Sequence, residues 1–348
     1  MKKKTVLLSL MAFATLCVQA QNYTMTISTD EGSRMLAVDD VRSILFRSAE
    51  YADPAMEGVL DEQVLPYPAE YANEAEHCGK VVRMSYEAAD YTSGDTVTKY
   101  ALVYLPYGYD GKAQQRYNVL FMMHGMGDRY DTYLKAPGST SEVKRALDHL
   151  IESGVIEPLI VVTPTIYLPD RYDTGTLTAG INRFPQELMT SLLPAVAHNY
   201  RTYATGVTME HFSKARAHFA MAGFSAGSVT TWNVFANCLP YIKEYVPMSG
   251  ALGMIGGTLS GNASTLAGII ADAGLGARDF HINAMSGSDD YAASGLAAQI
   301  RSMDGVAPFV NGLDKGNSNV CYREYSGGAH DYKATVVYIY NALLTLFR

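Results

Sequence analysis

Residues 220–232 read AMAGFSAGSVTTW, and the stretch admits two foldings. Ser225 is either a nucleophile held on a strained turn or a hydroxyl capping a helix that leaves a Gly-rich loop. The surroundings separate the two. A buried strand is predicted over 217–222, where HFAMA is nearly continuous apolar sequence, and Gly223-Phe224-Ser225-Ala226-Gly227 follows at once. Val229, Thr230, Trp232 and Val234 then continue as a helix predicted over 226–238. Strand, sharp turn and helix in that order make an elbow that lifts a serine out of the sheet. A serine forced to positive φ leaves no room for side chains beside it, which gives both flanking glycines a physical task.

A serine hydroxyl is a weak nucleophile without a base, so histidine and a carboxylate should follow it in the order serine, acid, histidine. Two histidines follow Ser225. His281 falls inside a predicted buried strand and reads as a core residue. His330 stands in SGGAHDY, after the last strand and before the last helix, at the sheet edge where loops carry chemistry. The acid belongs after a strand between them. HINAMSGSDDYA (281–292) supplies a strand, a Ser-Gly-Ser turn, then Asp289 and Asp290. Spacing does not choose between these two, since either one can orient His330 while the other caps the next helix.

Acyl transfer also needs two backbone N–H groups aimed at the developing oxyanion. His124-Gly125-Met126-Gly127 closes an apolar strand at 117–123, where this kind of sheet keeps its second donor. The expected donors are the N–H groups of Met126 and Ala226, with His124 bracing the loop.

The chain of 348 residues is 48% apolar and 18% charged, and it reads as an ordinary globular protein. Residues 1–20 read as an export signal, with Lys2, Lys3 and Lys4, an apolar run from Val6 to Val18, and small residues before Gln21. Three lysines and no acids leave with that segment, taking the net charge from −8 to −11. Such a balance excludes a nucleic-acid partner, which needs a basic face. No later stretch is apolar enough to span a bilayer, so the mature protein is expected outside the cytoplasm. Cys78, Cys238 and Cys321 remain, an odd number without metal-site spacing, so at least one thiol is free. Residues 21–75 are expected to form a short hairpin around Glu31-Gly32-Ser33 and a Pro-containing linker. From about residue 76, strands over 80–87, 99–105, 117–123, 158–163, 217–222, 244–248, 280–285 and 320–325 alternate with helices over 141–153, 184–200, 226–238, 291–303 and 332–346. That alternation predicts an α/β fold with a mostly parallel sheet covered on both faces.

HGMGDRYDTYL (124–134), EPLIVVTPT (157–165), AMAGFSAGSVTTWNVFANCLPYI (220–242), SGSDDYA (286–292) and GGAHDY (327–332) together resemble the esterase D-like enzymes of carbohydrate esterase family one. The likeness is greatest to bacterial feruloyl and acetylxylan esterases, and it spans roughly residues 76–348. It implies an α/β-hydrolase fold with Ser225 as nucleophile and His330 as base. The family's Gly-small-x-Asp pattern falls on Gly287-Ser288-Asp289-Asp290 and selects Asp290. The family's oxyanion donors fall on Met126 and Ala226. Related feruloyl esterases carry aromatic residues after the strand ending PMSG and just after the catalytic histidine. Here those places read Ala251-Leu252-Gly253-Met254 and Asp331-Tyr332, so Tyr332 is kept and the other aromatic is absent. Tyr130, Tyr133, Tyr167 and Tyr172 lie on loops that could rebuild the missing surface, or they are surface tyrosines in a chain that has 25.

The combined expectation is an exported serine esterase that cleaves feruloyl esters from hemicellulose side chains, with a plant cell-wall polysaccharide or a feruloylated or acetylated oligosaccharide as substrate. It needs neither metal nor organic cofactor. The alternatives are an acetylxylan esterase, another acyl hydrolase on the same scaffold, or a carbohydrate-binding relative without activity. The polar stretch 166–182 argues against a lipase lid, and the complete set of site residues argues against an inactive relative.

Overall fold

The apolar runs of the sequence become the centre of one eight-stranded sheet. In the computed structural model the described residues are 24–29, 32–37, 59–109, 114–169, 174–256 and 262–348. The predicted leader 1–20, residues 48–58 of the predicted linker and Tyr172 lie outside them. The chain divides into two units, Met1–Phe46 and Arg47–Arg348. In the first, β1 (Thr24–Thr29) and β2 (Gly32–Ala37) pair antiparallel, from Thr24 opposite Ala37 to Thr29 opposite Gly32.

The second unit holds β3 (Lys80–Ala89), β4 (Thr96–Leu105), β5 (Asn118–Met123), β6 (Leu159–Thr163), β7 (Phe219–Phe224), β8 (Glu244–Met248), β9 (His281–Gly287) and β10 (Val320–Tyr325). Their order across the sheet is β10-β9-β8-β7-β5-β6-β4-β3. Only β4 runs against its neighbours; the pairings from β6 to β10 are all parallel. Strands buried on both faces need apolar residues at every position. β5 meets this with Val119, Phe121 and Met123 toward one core and Leu120 and Met122 toward the other.

The first core is covered by α2 (Thr174–Glu187), α3 (Leu193–Asn199), α4 (Met209–Lys214), α5 (Ala226–Cys238), α6 (Ala263–Asp272) and α7 (Ala293–Arg301). The second lies under α1 (Glu142–Glu152) and α8 (Tyr332–Leu343). Cys238 and Cys321 are buried free thiols, and Cys78 is half-buried. No helix of the described residues is long and apolar enough to cross a membrane.

Three features differ from the sequence expectation. The helix predicted at 184–200 starts ten residues earlier and passes through a π turn at Leu188–Leu192 into α3. Its first turns looked polar, yet Leu177, Ile181 and Phe184 fall on one side at helical spacing and are buried. α4 and α6 were not anticipated, because each is short and turns few large apolar residues inward; in α6 only Leu266 and Ile270 are large and buried. Residues 59–75, assigned to the linker, instead pack on the α/β unit. The Leu60 N–H donates to the Leu313 carbonyl at 2.7 Å, Leu65 exchanges hydrogen bonds with the Asn341 side chain, and the Tyr67 hydroxyl donates to the Glu142 carbonyl at 2.8 Å. Tyr67 and Tyr71 meet each other and Tyr340 edge to face. The Pro-containing composition concealed this buried edge, so the boundary at residue 76 falls too late.

Two histidines are sealed inside this unit. His281 begins β9 and His124 follows β5, and each is 1% exposed. Burial drives both toward the neutral form, His124 down to about 4 and His281 well below the ordinary histidine range, where Lys315 and Arg323 add to the effect. The unfolded chain protonates both near pH 6.5 while the folded protein keeps them neutral. Stability is therefore complete above about pH 6.5 and declines as the pH falls, by up to about 1.4 kcal/mol per pH unit for each ring. Urea unfolding midpoints should drop between pH 7 and pH 5, and His281→Gln should flatten that slope by about one proton. A midpoint independent of pH, or a slope unchanged in the variant, would contradict the assignment.

Candidate active site

Ser225 sits between β7 and α5 with φ 56° and ψ −115°, a backbone conformation that costs a non-glycine residue on the order of 1–3 kcal/mol. Its neighbours hold it there. The Ser225 N–H donates to the Met248 carbonyl at 2.9 Å, and its carbonyl accepts from the Val229 N–H at 3.1 Å. A Cβ on Gly227 would lie 2.2 Å from the Met123 carbonyl oxygen, and one on Gly223 would lie 2.2 Å from the Gly227 carbonyl oxygen. Both flanking glycines are thus required by close approach of backbone. Trp232, 1% exposed, donates from its indole to the Gly250 carbonyl at 3.1 Å, and the Ser228 hydroxyl donates to the same oxygen at 2.6 Å. These bonds pin α5 to the loop after β8.

The Ser225 side chain does not cap α5. Its Oγ lies 2.9 Å from His330 Nε2, and His330 Nδ1 lies 2.8 Å from Asp290 Oδ1. The helix-cap alternative therefore fails on geometry. A carboxylate can only accept, so Nδ1 carries hydrogen and a neutral ring presents the Nε2 lone pair to the serine hydroxyl. Asp290 is 6% exposed and also accepts from the Ala292 N–H at 2.7 Å. Burial raises its pKa, but the bonds from His330, Ala292 and Ser249 outweigh burial and hold the carboxyl below its ordinary value. Asp289 is exposed, accepts from the Ser288 hydroxyl and has no bond to the imidazole. Of the two carboxylates left open by spacing, Asp290 is the one brought to His330.

The His124–Gly127 turn lies against the serine. A Cβ on Gly125 would be 3.6 Å from Ser225 Cβ. His124 Nδ1 is 2.7 Å from the Gly125 carbonyl oxygen, and Nε2 is 2.7 Å from Thr165 Oγ1. The carbonyl can only accept, so the neutral ring carries its hydrogen on Nδ1 and accepts a hydrogen bond from the Thr165 hydroxyl at Nε2. Fixing the Gly125 carbonyl fixes the plane of its peptide, and with it the direction of the Met126 N–H. Behind Thr165 stands a buried ion pair. Lys99 Nζ donates to the Thr165 carbonyl at 2.8 Å and pairs with Glu187 at 2.8 Å, and Glu187 also accepts from the hydroxyls of Tyr86 and Tyr91. Tyr167, buried, accepts the Gly127 N–H at 2.9 Å and stacks on His124. Ala226 is fully buried at the start of α5, whereas the Met126 side chain is 56% exposed.

The candidate substrate tyrosines separate. Tyr133 is 2% exposed with its hydroxyl toward the Met123 carbonyl, so it is a core residue and not a binding surface. Tyr133 and its neighbour Leu134 both turn into the second core, from a short loop whose sequence looked solvent-facing. Tyr130 is half-buried on that core. Tyr332 is half-buried, donates to Glu142 Oε2 at 3.2 Å and lies under the Lys135 ammonium. Two rings that the sequence did not single out flank His330: Phe224 with centroids 4.6 Å apart, and Tyr291 at 4.2 Å. Their signal was adjacency, since Phe224 precedes the serine and Tyr291 follows the acid. Among the described residues, Glu76, His77 and Glu152 form one exposed group whose ligand atoms fall within 4.8 Å of one another, in which the Glu152 carboxylate accepts from the backbone N–H groups of Glu76 and His77 and lies 2.9 Å from His77 Nδ1.

Comparison with known proteins bears on the family and the fold. The family model named Esterase matches residues 98–231. The chain is 34% identical to endo-1,4-beta-xylanase Y of Acetivibrio thermocellus over 285 residues, which is 82% of this chain and 25% of that protein. It is 33% identical over 135 residues to an endo-1,4-beta-xylanase/feruloyl esterase of Xylanibacter ruminicola, covering 37% of this chain and 17% of the relative. The chain thus spans a quarter or less of the length of these curated relatives. The feruloyl esterase module from Clostridium thermocellum, solved as a complex with sinapinate, superposes with a TM-score of 0.72 at 31% identity, covering 84% of this chain and 96% of the module. With an α/β-hydrolase sheet and a relative matched over nearly its whole module, the chain belongs to the esterase family, in the carbohydrate esterase family one group that contains feruloyl esterases, and is a serine esterase.

Proposed function

We propose that this protein is an exported feruloyl esterase that releases hydroxycinnamoyl groups from hemicellulose side chains, with Ser225, His330 and Asp290 as its triad. One observation carries the reading: an unbroken relay from Asp290 through His330 to Ser225, at 2.8 and 2.9 Å, on a backbone turn held at positive φ. Ser225 attacks the ester carbonyl as His330 takes its proton, and Asp290 fixes the tautomer and stabilises the imidazolium. The N–H groups of Met126 and Ala226 receive the oxyanion. His330 then protonates the leaving sugar alcohol, and water repeats the sequence on the acyl-enzyme.

The names of the relatives support an ester attached to xylan, and the sinapinate complex supports an aryl acyl group in the related module. The apolar loop Ala251–Met254, which carries no aromatic ring, favours acetyl removal as the second reading. The leader over residues 1–20 supports export.

A side-by-side kcat/KM comparison on methyl ferulate and acetylated xylan decides between the readings. Preference for ferulate is expected, and preference for acetyl would move the protein to the second. Ser225→Ala should lose on the order of 10⁶ in kcat, and retained turnover would remove Ser225 from the mechanism. Asp290→Asn should lower kcat by about 10⁴ through the wrong tautomer, while Asp289→Asn should alter it little. The reverse ranking would mean that the other carboxylate orients His330.

A further inference from the structure

Tyr291 stands out once the triad is in place. It is 72% exposed, the most exposed aromatic side chain among the described residues, yet its ring lies against the His330 imidazole with centroids 4.2 Å apart. Its backbone is anchored on both sides, by buried Asp290 before it and by the Ala292 N–H bonded to that carboxylate after it. The backbone on either side is thus held, and the ring rests against His330 with most of its surface open to solvent. Phe224 also packs against the imidazole, with centroids 4.6 Å apart, so the ring does not depend on Tyr291 alone for its packing. An exposed aromatic held beside a reacting group points to a binding surface.

Geometry says which part of the substrate that surface meets. With the ester carbonyl carbon at Ser225 Oγ, the carbonyl oxygen turns toward the His124–Gly127 turn and the start of α5. The leaving oxygen must come within hydrogen-bond reach of His330 Nε2, because that nitrogen delivers its proton. The group attached to the leaving oxygen thus emerges along the imidazole, where Tyr291 lies. The acyl chain takes the remaining direction, away from it. We infer that Tyr291 is a platform for the leaving alcohol, stacking against the sugar ring that bears the ester, and so discriminates sugar esters from simple alkyl esters. This assignment rests on the feruloyl esterase reading. A furanose or pyranose face presents C–H groups of slight positive charge, which suit the negative face of a phenol ring.

The test compares methyl ferulate, whose leaving group has no ring, with a feruloylated arabinoxylo-oligosaccharide. Because Tyr291 is exposed, its replacement leaves the core intact. Tyr291→Ala should lower kcat/KM on the oligosaccharide about tenfold more than on methyl ferulate, the size expected for one lost aromatic stacking contact. Tyr291→Trp, which keeps an aromatic face, should retain most of the wild-type ratio. An equal loss on both esters would show that Tyr291 only supports His330, and no loss on either would show that the sugar lies elsewhere; either result overturns the platform alone. Failure of the wild-type protein to turn over either ester would reject the feruloyl reading and the platform with it.

Discussion

Ser225 keeps a positive φ because the backbone on both sides of it is clamped by the middle of the sheet. The Met248 carbonyl takes its N–H, and the absence of side chains at Gly223 and Gly227 lets the first turn of α5 settle against the end of β5. Much of the remaining architecture serves that clamp. β5 and β8 flank β7, and their apolar residues on both faces make the strand ends rigid. Trp232 and Ser228 tie the helix to the loop beyond β8. The local backbone cost, on the order of 1–3 kcal/mol, is carried by this surrounding packing, and the return is a hydroxyl directed out of the sheet.

Charge is arranged around the serine at two depths. Near it, Asp290 is ionised and fixes the tautomer of His330. Farther in, Lys99 and Glu187 form a buried pair whose contact with Thr165 reaches His124, and the neutral His124 ring holds the Gly125 peptide. Two histidines in one site thus perform opposite tasks. His330 is half-buried and turns its Nε2 to the serine hydroxyl, whereas burial keeps His124 neutral and so a fixed strut.

The strand-turn-helix pattern around residue 225 made the fold legible, because buried parallel strands must be apolar throughout and the flanking glycines betray the close approach of backbone. Ser225, His330 and the His124–Gly127 turn followed from chain order. Asp289 and Asp290 could not be separated by spacing, since adjacent residues on a turn diverge only in three dimensions; the family pattern named Asp290, and the hydrogen bond to His330 agrees. Tyr133 was misread because a tyrosine on a loop looks the same in sequence whether its ring turns in or out. Tyr291 and the Lys99–Glu187 pair were illegible for a related reason. Their partners lie 39 and 88 positions away along the chain, and no periodicity records such contacts. Residues 59–75 were taken as linker because proline and scattered acids conceal the few side chains that dock.

The central claim is that Ser225 is activated by its place in this relay. Its most direct test is to treat the protein with an alkyl fluorophosphonate, then measure the intact mass and map the modified peptide. One phosphonyl adduct per chain, located on Ser225, is expected. No adduct, or an adduct on any other residue, would contradict it.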